Sequence, residues 1–320
     1  MRMEIIGGGA LGLLLAAKLA ASGADVKLWT RTERQCRLIE AKGLTLLDES
    51  GETVQRPAVQ WLGPEVACDR ADGRGDSWVV LAVKQSAIGE ELISRLRGLA
   101  MVSGQGAIAG IVCLQNGLGH LEKLAEGLPG VPLYASVTTS GAKREDERTV
   151  RHTGSGGLWI AQKAENGAGD GEISEKAQKM LLETLRKAGF ETFLSNDMED
   201  RIFQKLLINA VINPLTALFD CLNGELPNDR RRYALMEALY QETYGILTAA
   251  GMKPNSGSWD GILEVCRRTA CNVSSMLADV RAARPTEIEA INGAVSRLAR
   301  ERGMRSPLND AVTTMIQAYN

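Results

Sequence analysis

The chain opens with a short apolar run, Met3–Ile6, then three glycines, a stretch with helical character at Ala10–Ser22 and a second run at Ala24–Thr30. Strand, tight turn, helix and strand in that order predict a βαβ unit. Further apolar runs at Ser77–Val83 and Ile108–Leu114 each end in a polar residue or turn, as parallel strands do beside a ligand crevice. Between Leu44 and Trp61 the pattern predicts a β-hairpin around Glu49-Ser50-Gly51-Glu52. A second strand-rich region spans Leu133–Gln162, broken by a polar turn at Lys143–Arg148. A surface loop at Glu165–Gly171, a helix at Ile173–Ala188 and a strand at Phe190–Leu194 complete this half.

After Asn196 and Asp197, either of which can cap a helix, the periodicity turns almost purely helical. Helices are expected at Met198–Phe219, Asp229–Ala250, Trp259–Cys271, Val273–Ala283, Thr286–Arg302 and Pro307–Tyr319. Ser306 is the natural N-cap of the last, with Pro307 at its first position. The expected fold class is α/β, with an N-terminal Rossmann-type dinucleotide-binding domain (residues 1–196) and a C-terminal all-helical domain (residues 197–320).

The first of these helices contains KLLINAVINPLTAL, an apolar stretch with polar residues only at Lys205, Asn209 and Asn213 before Pro214. A step of four residues overshoots one helical turn by only about 40°, so the three share a face. Arg201 and Asp197 continue the spacing, which an ordinary solvated face would also explain. The narrowness of the stripe favours burial instead, and buried polar groups need partners, which a polar ligand can supply. Pro214 predicts a kink or an ending at Asn213.

Gly7-Gly8-Gly9-Ala10-Leu11-Gly12 satisfies G-x-G-x-x-G between a strand and a helix. Gly7 suits the tight turn, Gly9 the close approach of a pyrophosphate, and Gly12 close helix–strand packing. The N–H groups at the helix start, at Ala10 and Leu11, would face the phosphates. With Arg2 ahead of it this stretch superficially resembles a signal peptide, but the glycines and Lys18 interrupt the apolar run. Where an NAD-specific protein would place an acid after the second strand, this chain has Trp29-Thr30-Arg31. Arginine suits a 2′-phosphate, so NADPH is the expected cofactor, with Arg34 able to assist. A solvated Arg31 paired with Glu33 is the plainer alternative.

Charge adds little: 37 basic against 39 acidic residues give a net −2, so no strong field favours nucleic acid or an anionic membrane. The six cysteines (Cys36, Cys68, Cys113, Cys221, Cys266, Cys271) are scattered without a CxxC pair, which suggests neither zinc nor disulfides and fits a reduced cytoplasmic setting. His120 and His152 are the only histidines, both in the nucleotide half near predicted loops. Hydride transfer to a ketone needs a proton donor, and Lys205 is then the best-placed one. Glu287, in ARPTEIEAING, could tether that lysine or accept from the substrate's hydroxyl; a first-turn glutamate complementing a helix dipole explains it at least as well.

GGGALG (Gly7–Gly12), LAVK ending at Lys84, QNGLG (Gln115–Gly119), KLLINAVINPLTAL (Lys205–Leu218), LNGEL (Leu222–Leu226), NVSSMLADVRA (Asn272–Ala282) and RPTEIEAING (Arg284–Gly293) follow one another along almost the whole chain. In these seven segments the sequence resembles the ketopantoate reductases (2-dehydropantoate 2-reductases) of pantothenate synthesis. The resemblance implies NADPH-dependent reduction of 2-dehydropantoate to (R)-pantoate, in a cleft between a Rossmann domain and a helical domain. It implies Lys205 as general acid and Glu287 as the residue orienting substrate and lysine, also near the cofactor. Asn209 and Asn213 would contact the substrate hydroxyl and ketone, Ser275 with Asn272 its carboxylate, and Asn223 would also touch it. Arg31, Lys84, Asn116 and the backbone of Ala142 would handle the cofactor. One departure is Ala87, where the family often has a polar side chain. Another 2-keto acid as substrate, or an NADPH-sensing binding protein without catalysis, are the alternatives. The helical half is a candidate homodimer face, which nothing in the sequence decides.

Overall fold

The computed structural model describes residues 1–63, 77–101, 108–167 and 172–319; Cys68 and the end of the loop expected at Glu165–Gly171 lie outside them. The chain forms two compact units, the first comprising Met1–Gln115 and His120–Met198, the second Asn116–Gly119 and Glu199–Asn320.

The first unit begins β1 (Arg2–Ile6), α1 (Ala10–Ala21), β2 (Asp25–Thr30), α2 (Glu33–Lys42), β3 (Leu44–Asp48), β4 (Gly51–Gln55) and β5 (Ala58–Trp61). It continues with β6 (Ser77–Leu81), α3 (Glu90–Met101), β7 (Ile108–Cys113), α4 (His120–Gly127), β8 (Leu133–Thr138), β9 (Gly141–Arg144), β10 (Thr149–Gly154), β11 (Gly157–Ala161), α5 (Glu172–Lys187) and β12 (Glu191–Ser195). Eight strands form the main sheet, in the order β12-β11-β8-β7-β6-β1-β2-β5. From β5 to β8 all neighbours are parallel, and the strand order reverses beside β1, as in doubly wound dinucleotide folds. β11 is antiparallel to β8 and parallel to β12.

A four-stranded sheet, β4-β3-β10-β9, stands apart from it. The expected hairpin closes as β3–β4, with Asp48 opposite Gly51. Its continuation differs from expectation: β5 leaves this sheet and pairs with β2. Pro57 lies between β4 and β5 and has no N–H for a ladder, so pairing is interrupted there. Helix α1 touches strands of both sheets, which explains why it is apolar nearly all round, with Leu13, Leu14 and Leu19 fully buried.

The second unit contains α6 (Met198–Phe219), α7 (Arg230–Ala249), α8 (Ser258–Arg268), α9 (Ser275–Arg281), α10 (Asn292–Glu301) and α11 (Pro307–Gln317). Its core gathers Leu206, Leu207, Val211 and Leu215 of α6 with Met236, Leu239, Ile262, Leu277, Val295 and Ile316 from the other helices. By length and composition α6 could cross a membrane; 61% of its most apolar window is buried within the protein, the position of a core helix.

Three helical expectations need correction. First, α6 does not end at Asn213; it continues through Pro214 to Phe219. Pro214 cannot donate to the carbonyl of Ala210, and Asn292 Nδ2 donates to that oxygen instead at 2.9 Å. Second, Thr286–Arg302 is not one helix: a 3₁₀ turn at Ile288–Ala290 precedes α10, separated by Ile291 at φ −102° and ψ −88°. The carbonyl of Ala290 is taken by the N–H of Leu118 at 3.1 Å instead of by a helical N–H. Third, Ser306 stands at the N-cap of α11 but its side chain bonds Asp310, while the Glu242 carboxylate accepts from the N–H groups of Leu308 (3.0 Å) and Asn309 (2.8 Å). A charged acceptor satisfies the free donors better than a hydroxyl does.

The glycine turn gives a stability test. A Cβ at Gly12 would lie 1.8 Å from the carbonyl oxygen of Gly7, whereas one at Gly9 would meet only the Ala82 oxygen at 3.9 Å. Gly12→Ala is expected to lose at least about 3 kcal/mol in urea unfolding, and Gly9→Ala to stay within about 1 kcal/mol of the parent. Similar losses in both variants would contradict the close packing of α1 on the turn.

Candidate active site

At the end of β1 the chain must turn sharply into α1, and Gly7 does so at φ +117°, where a side chain would be strained. Gly9 is the N-cap of α1; no side chain caps the helix and its first turn holds no acid, so Ala10 and Leu11 begin a helix end suited to an anion. Gln35 Nε2 donates to the Gly8 carbonyl at 2.9 Å and to that of Glu147 at 2.8 Å, tying the turn to α2 and to the β9–β10 connection.

Arg31 follows β2, is exposed, and has no ion-pair partner among the described residues. Glu33 is engaged elsewhere, by Arg37 at 2.5 Å, and Arg34 pairs with Glu147 at 2.9 Å. Lys84 lies just before a 3₁₀ turn, Gln85–Ala87, after β6. Gln115 fixes that region by donating from Nε2 to the carbonyls of Leu81 (2.8 Å) and Val83 (3.0 Å). Ala142 lies in β9 opposite His152. His120 is buried against Gln85, 3.0 Å from Nε2, and burial pulls its imidazole down to about 4, which keeps it neutral near pH 7.

In the second unit Lys205 and Glu287 are brought together. Lys205 is partly buried on α6, and Asn209 and Asn213 follow on its face, Asn213 being only 7% exposed. Neither asparagine side chain has a hydrogen-bond partner among the described residues. Burial pulls the Lys205 ammonium from its ordinary 10.5 down to about 8, against the opposing attraction of the Glu287 carboxylate. Asn116 Nδ2 donates to Glu287 Oε2 at 3.0 Å, so the asparagine after Gln115 orients the carboxylate that faces the lysine. Ser275 is the exposed first residue of α9, and Asn272 is exposed just before it. Asn223 is buried in a 3₁₀ turn; its N–H donates to the Asn272 carbonyl at 3.1 Å and its Nδ2 to Thr269 Oγ1 at 2.9 Å. Among the described residues no cluster of three or more His, Cys, Asp or Glu could hold a metal ion.

The family described as ketopantoate reductase PanE/ApbA matches residues 3–165, and its C-terminal counterpart, ketopantoate reductase PanE/ApbA C terminal, matches residues 197–320. The chain belongs to the ketopantoate reductase family. A 2-dehydropantoate 2-reductase of Archaeoglobus fulgidus is 31% identical over 99% of this chain and 97% of that protein. One from Bacillus subtilis is 30% identical over 95% and 92%. In fold, this ketopantoate reductase family member is similar to D-mandelate dehydrogenase solved with NADH and anilino(oxo)acetate, at TM-score 0.84 and 23% identity over 100% and 98% of the chains.

Several residues supporting the site in this ketopantoate reductase family member carry no spacing signal. Gln115 is an ordinary polar residue after a strand, and Asn292 lies inside an expected helix. Thr216, fully buried on α6, donates to the carbonyls of Ile212 and Asn213 (both 2.9 Å) and shares a 2.7 Å hydrogen bond with Ser274. Ser274, not its neighbour Ser275, is the cap of α9, accepting from Leu277 N–H at 3.1 Å. The second serine is thereby left outside the cap.

An unfolded lysine keeps its proton to about 10.5 and the folded Lys205 only to about 8. Between those values the unfolded chain binds more protons, so this group's unfavourable charging is relieved, and stability rises, as pH increases from 8 towards 10.5. Competitive acetylation of Lys205, followed by mass spectrometry against pH, is expected to show a midpoint near 8. Glu287→Gln should move it lower, because the carboxylate is the cause that holds the proton on. A parent midpoint near the ordinary 10.5 would contradict the burial.

Proposed function

We propose that this chain reduces 2-dehydropantoate to (R)-pantoate with NADPH, in pantothenate biosynthesis, its first unit binding the dinucleotide and its helical unit the keto acid. The observation that carries the reading is Lys205: a cation partly buried on an apolar helix, faced by the Glu287 carboxylate, with two amides along the same stripe whose side chains have no partner among the described residues. The relatives called 2-dehydropantoate 2-reductases support it over nearly the full chain.

The residues present fit a dinucleotide. Gly7, Gly9 and Gly12, with the N–H groups of Ala10 and Leu11, would receive the pyrophosphate beside Gly9, where a Cβ would meet nothing nearer than the Ala82 oxygen at 3.9 Å. Arg31 would take the 2′-phosphate, and Lys84, Asn116, Glu287 and the backbone of Ala142 would serve the rest of the cofactor. NADPH, when bound, supplies a hydride to the keto carbon. Lys205 stabilises the negative charge that then grows on the carbonyl oxygen and donates the proton that completes the hydroxyl. Glu287 keeps that ammonium protonated to a higher pH than burial alone would allow. Ser275 and Asn272 receive the carboxylate; Asn209 and Asn213 hold the ketone and hydroxyl.

Asn223 bears on which keto acid fits. Thr269 Oγ1 gives its own proton to the Val265 carbonyl at 2.7 Å, so it can only accept from Asn223 Nδ2. Asn223 Oδ1 is buried with no hydrogen-bond partner among the described residues. The hydroxyl of 2-dehydropantoate would supply a donor to it once binding uncovers that atom. An aryl keto acid, of the kind suggested by the mandelate dehydrogenase neighbour, has no such donor.

A keto-acid panel followed by NADPH absorbance tests the reading. Turnover should be highest with 2-dehydropantoate and far lower with phenylglyoxylate. Lys205→Ala should lower kcat about 100-fold or more with NADPH affinity kept. Arg31→Ala should raise the KM for NADPH about tenfold or more and that for NADH little. Preference for the aryl acid would overturn the substrate, and equal effects on both dinucleotides the 2′-phosphate assignment. NADPH binding without turnover across the panel would favour a sensing protein.

A further inference from the structure

Lys205 and Glu287 lie on separate segments of the helical unit, and something must keep those segments in register. Five residues beyond Lys205, α6 presents the carbonyl of Ala210, deprived of its helical donor by Pro214. Five residues beyond Glu287 stands Asn292, the fully buried first residue of α10, whose Nδ2 donates to that oxygen at 2.9 Å. A carbonyl can only accept, so the amide's orientation is fixed.

The donor is itself held. Asn292 Nδ2 also donates to Asn309 Oδ1 at 2.9 Å, and Asn309, fully buried at the start of α11, donates onward to Glu242 Oε1 (2.9 Å) and Thr243 Oγ1 (3.1 Å) of α7. The polar chain thus runs from α6 through α10 and α11 to α7. Asn292 Oδ1 is buried with no partner among the described residues, but Nδ2 serves two acceptors, so a shift of Asn292 would strand both the Ala210 carbonyl and Asn309 Oδ1.

We infer that Asn292 is a positioning residue: by filling the hydrogen-bond gap that Pro214 opens in α6, it fixes the Glu287 segment against the Lys205 helix. The inference rests on the proposed roles of Lys205 and Glu287, and deepens them. Pro214 and Asn292 act as a pair, the first opening an acceptor inside a helix and the second locking a neighbouring segment onto it. Asn292 touches neither substrate nor cofactor; it works through the spacing of the two residues that do.

Two variants separate positioning from plain stability. Asn292→Leu keeps the approximate volume and removes the donor. Asn292→Leu/Pro214→Ala returns a backbone N–H to the Ala210 carbonyl but leaves the segments untethered, and it serves where the single variant fails to fold. Measured are the thermal midpoint, NADPH affinity, kcat with 2-dehydropantoate and the pH midpoint of Lys205 acetylation. Asn292→Leu is expected to lower the thermal midpoint, reduce kcat about tenfold or more, and move the acetylation midpoint to lower pH, with NADPH affinity changed far less than kcat. The double variant should regain the thermal midpoint while kcat and the acetylation midpoint stay displaced. Recovery of all three in the double variant, or a kcat and acetylation midpoint in Asn292→Leu equal to the parent's, would overturn the inference. Should the parent turn over no keto acid, the reductase reading fails alone, and the acetylation midpoints still decide for or against Asn292.

Discussion

Taking the Lys205 ammonium out of bulk water is unfavourable, and the Glu287 carboxylate offsets that only in part, which is why burial still holds the lysine down near 8. A cation in that position constrains everything around it. The helix bearing it must be apolar elsewhere to form a core, the carboxylate must be held in place, and the other polar groups on the stripe must face something that can bond them. Asn116 meets the second demand by donating to Glu287. Asn209 and Asn213, without partners among the described residues, pose the third.

The helical unit answers these demands with buried polar bonds placed where the apolar core would otherwise leave helices free to slide. Asn292 reaches the carbonyl that Pro214 leaves without a donor, and Thr216 joins α6 to the cap of α9 through Ser274. Both bonds lie within a few residues of Asn213, so the far end of the stripe is fixed from two sides. In the other unit the same economy of contact appears in the glycine turn, where α1 lies so close to β1 that only glycine fits at position 12.

Much of this was legible in the sequence, for identifiable reasons. Hydrophobic periodicity marks α6 from Met198 to Phe219, and glycine spacing marks the strand–turn–helix at the start, because both patterns follow directly from local backbone geometry. Local rules failed where a distant residue changed the local balance. Pro214 alone signals a break, yet the side chain of Asn292, 78 residues on, supplies what the backbone lacks. Ser306 alone signals a cap, yet Glu242 of α7 takes the free N–H groups. Thr286–Arg302 has unbroken helical periodicity, and it is the segment around Gly117 and Leu118 that interrupts it. Of the site, Lys205 and its two asparagines stood out by spacing; the facing of Lys205 by Glu287, and the hold of Asn116 on that carboxylate, depend on tertiary folding that no spacing encodes.

In the proposed reaction the Lys205 ammonium gives its proton to the substrate oxygen. Chemical rescue of Lys205→Ala with small primary amines tests it most directly. Methylammonium is expected to restore part of the NADPH-dependent reduction of 2-dehydropantoate, in proportion to its concentration and only in this variant. Turnover of Lys205→Ala at the parent rate, with an unchanged pH profile and no response to amines, would contradict it.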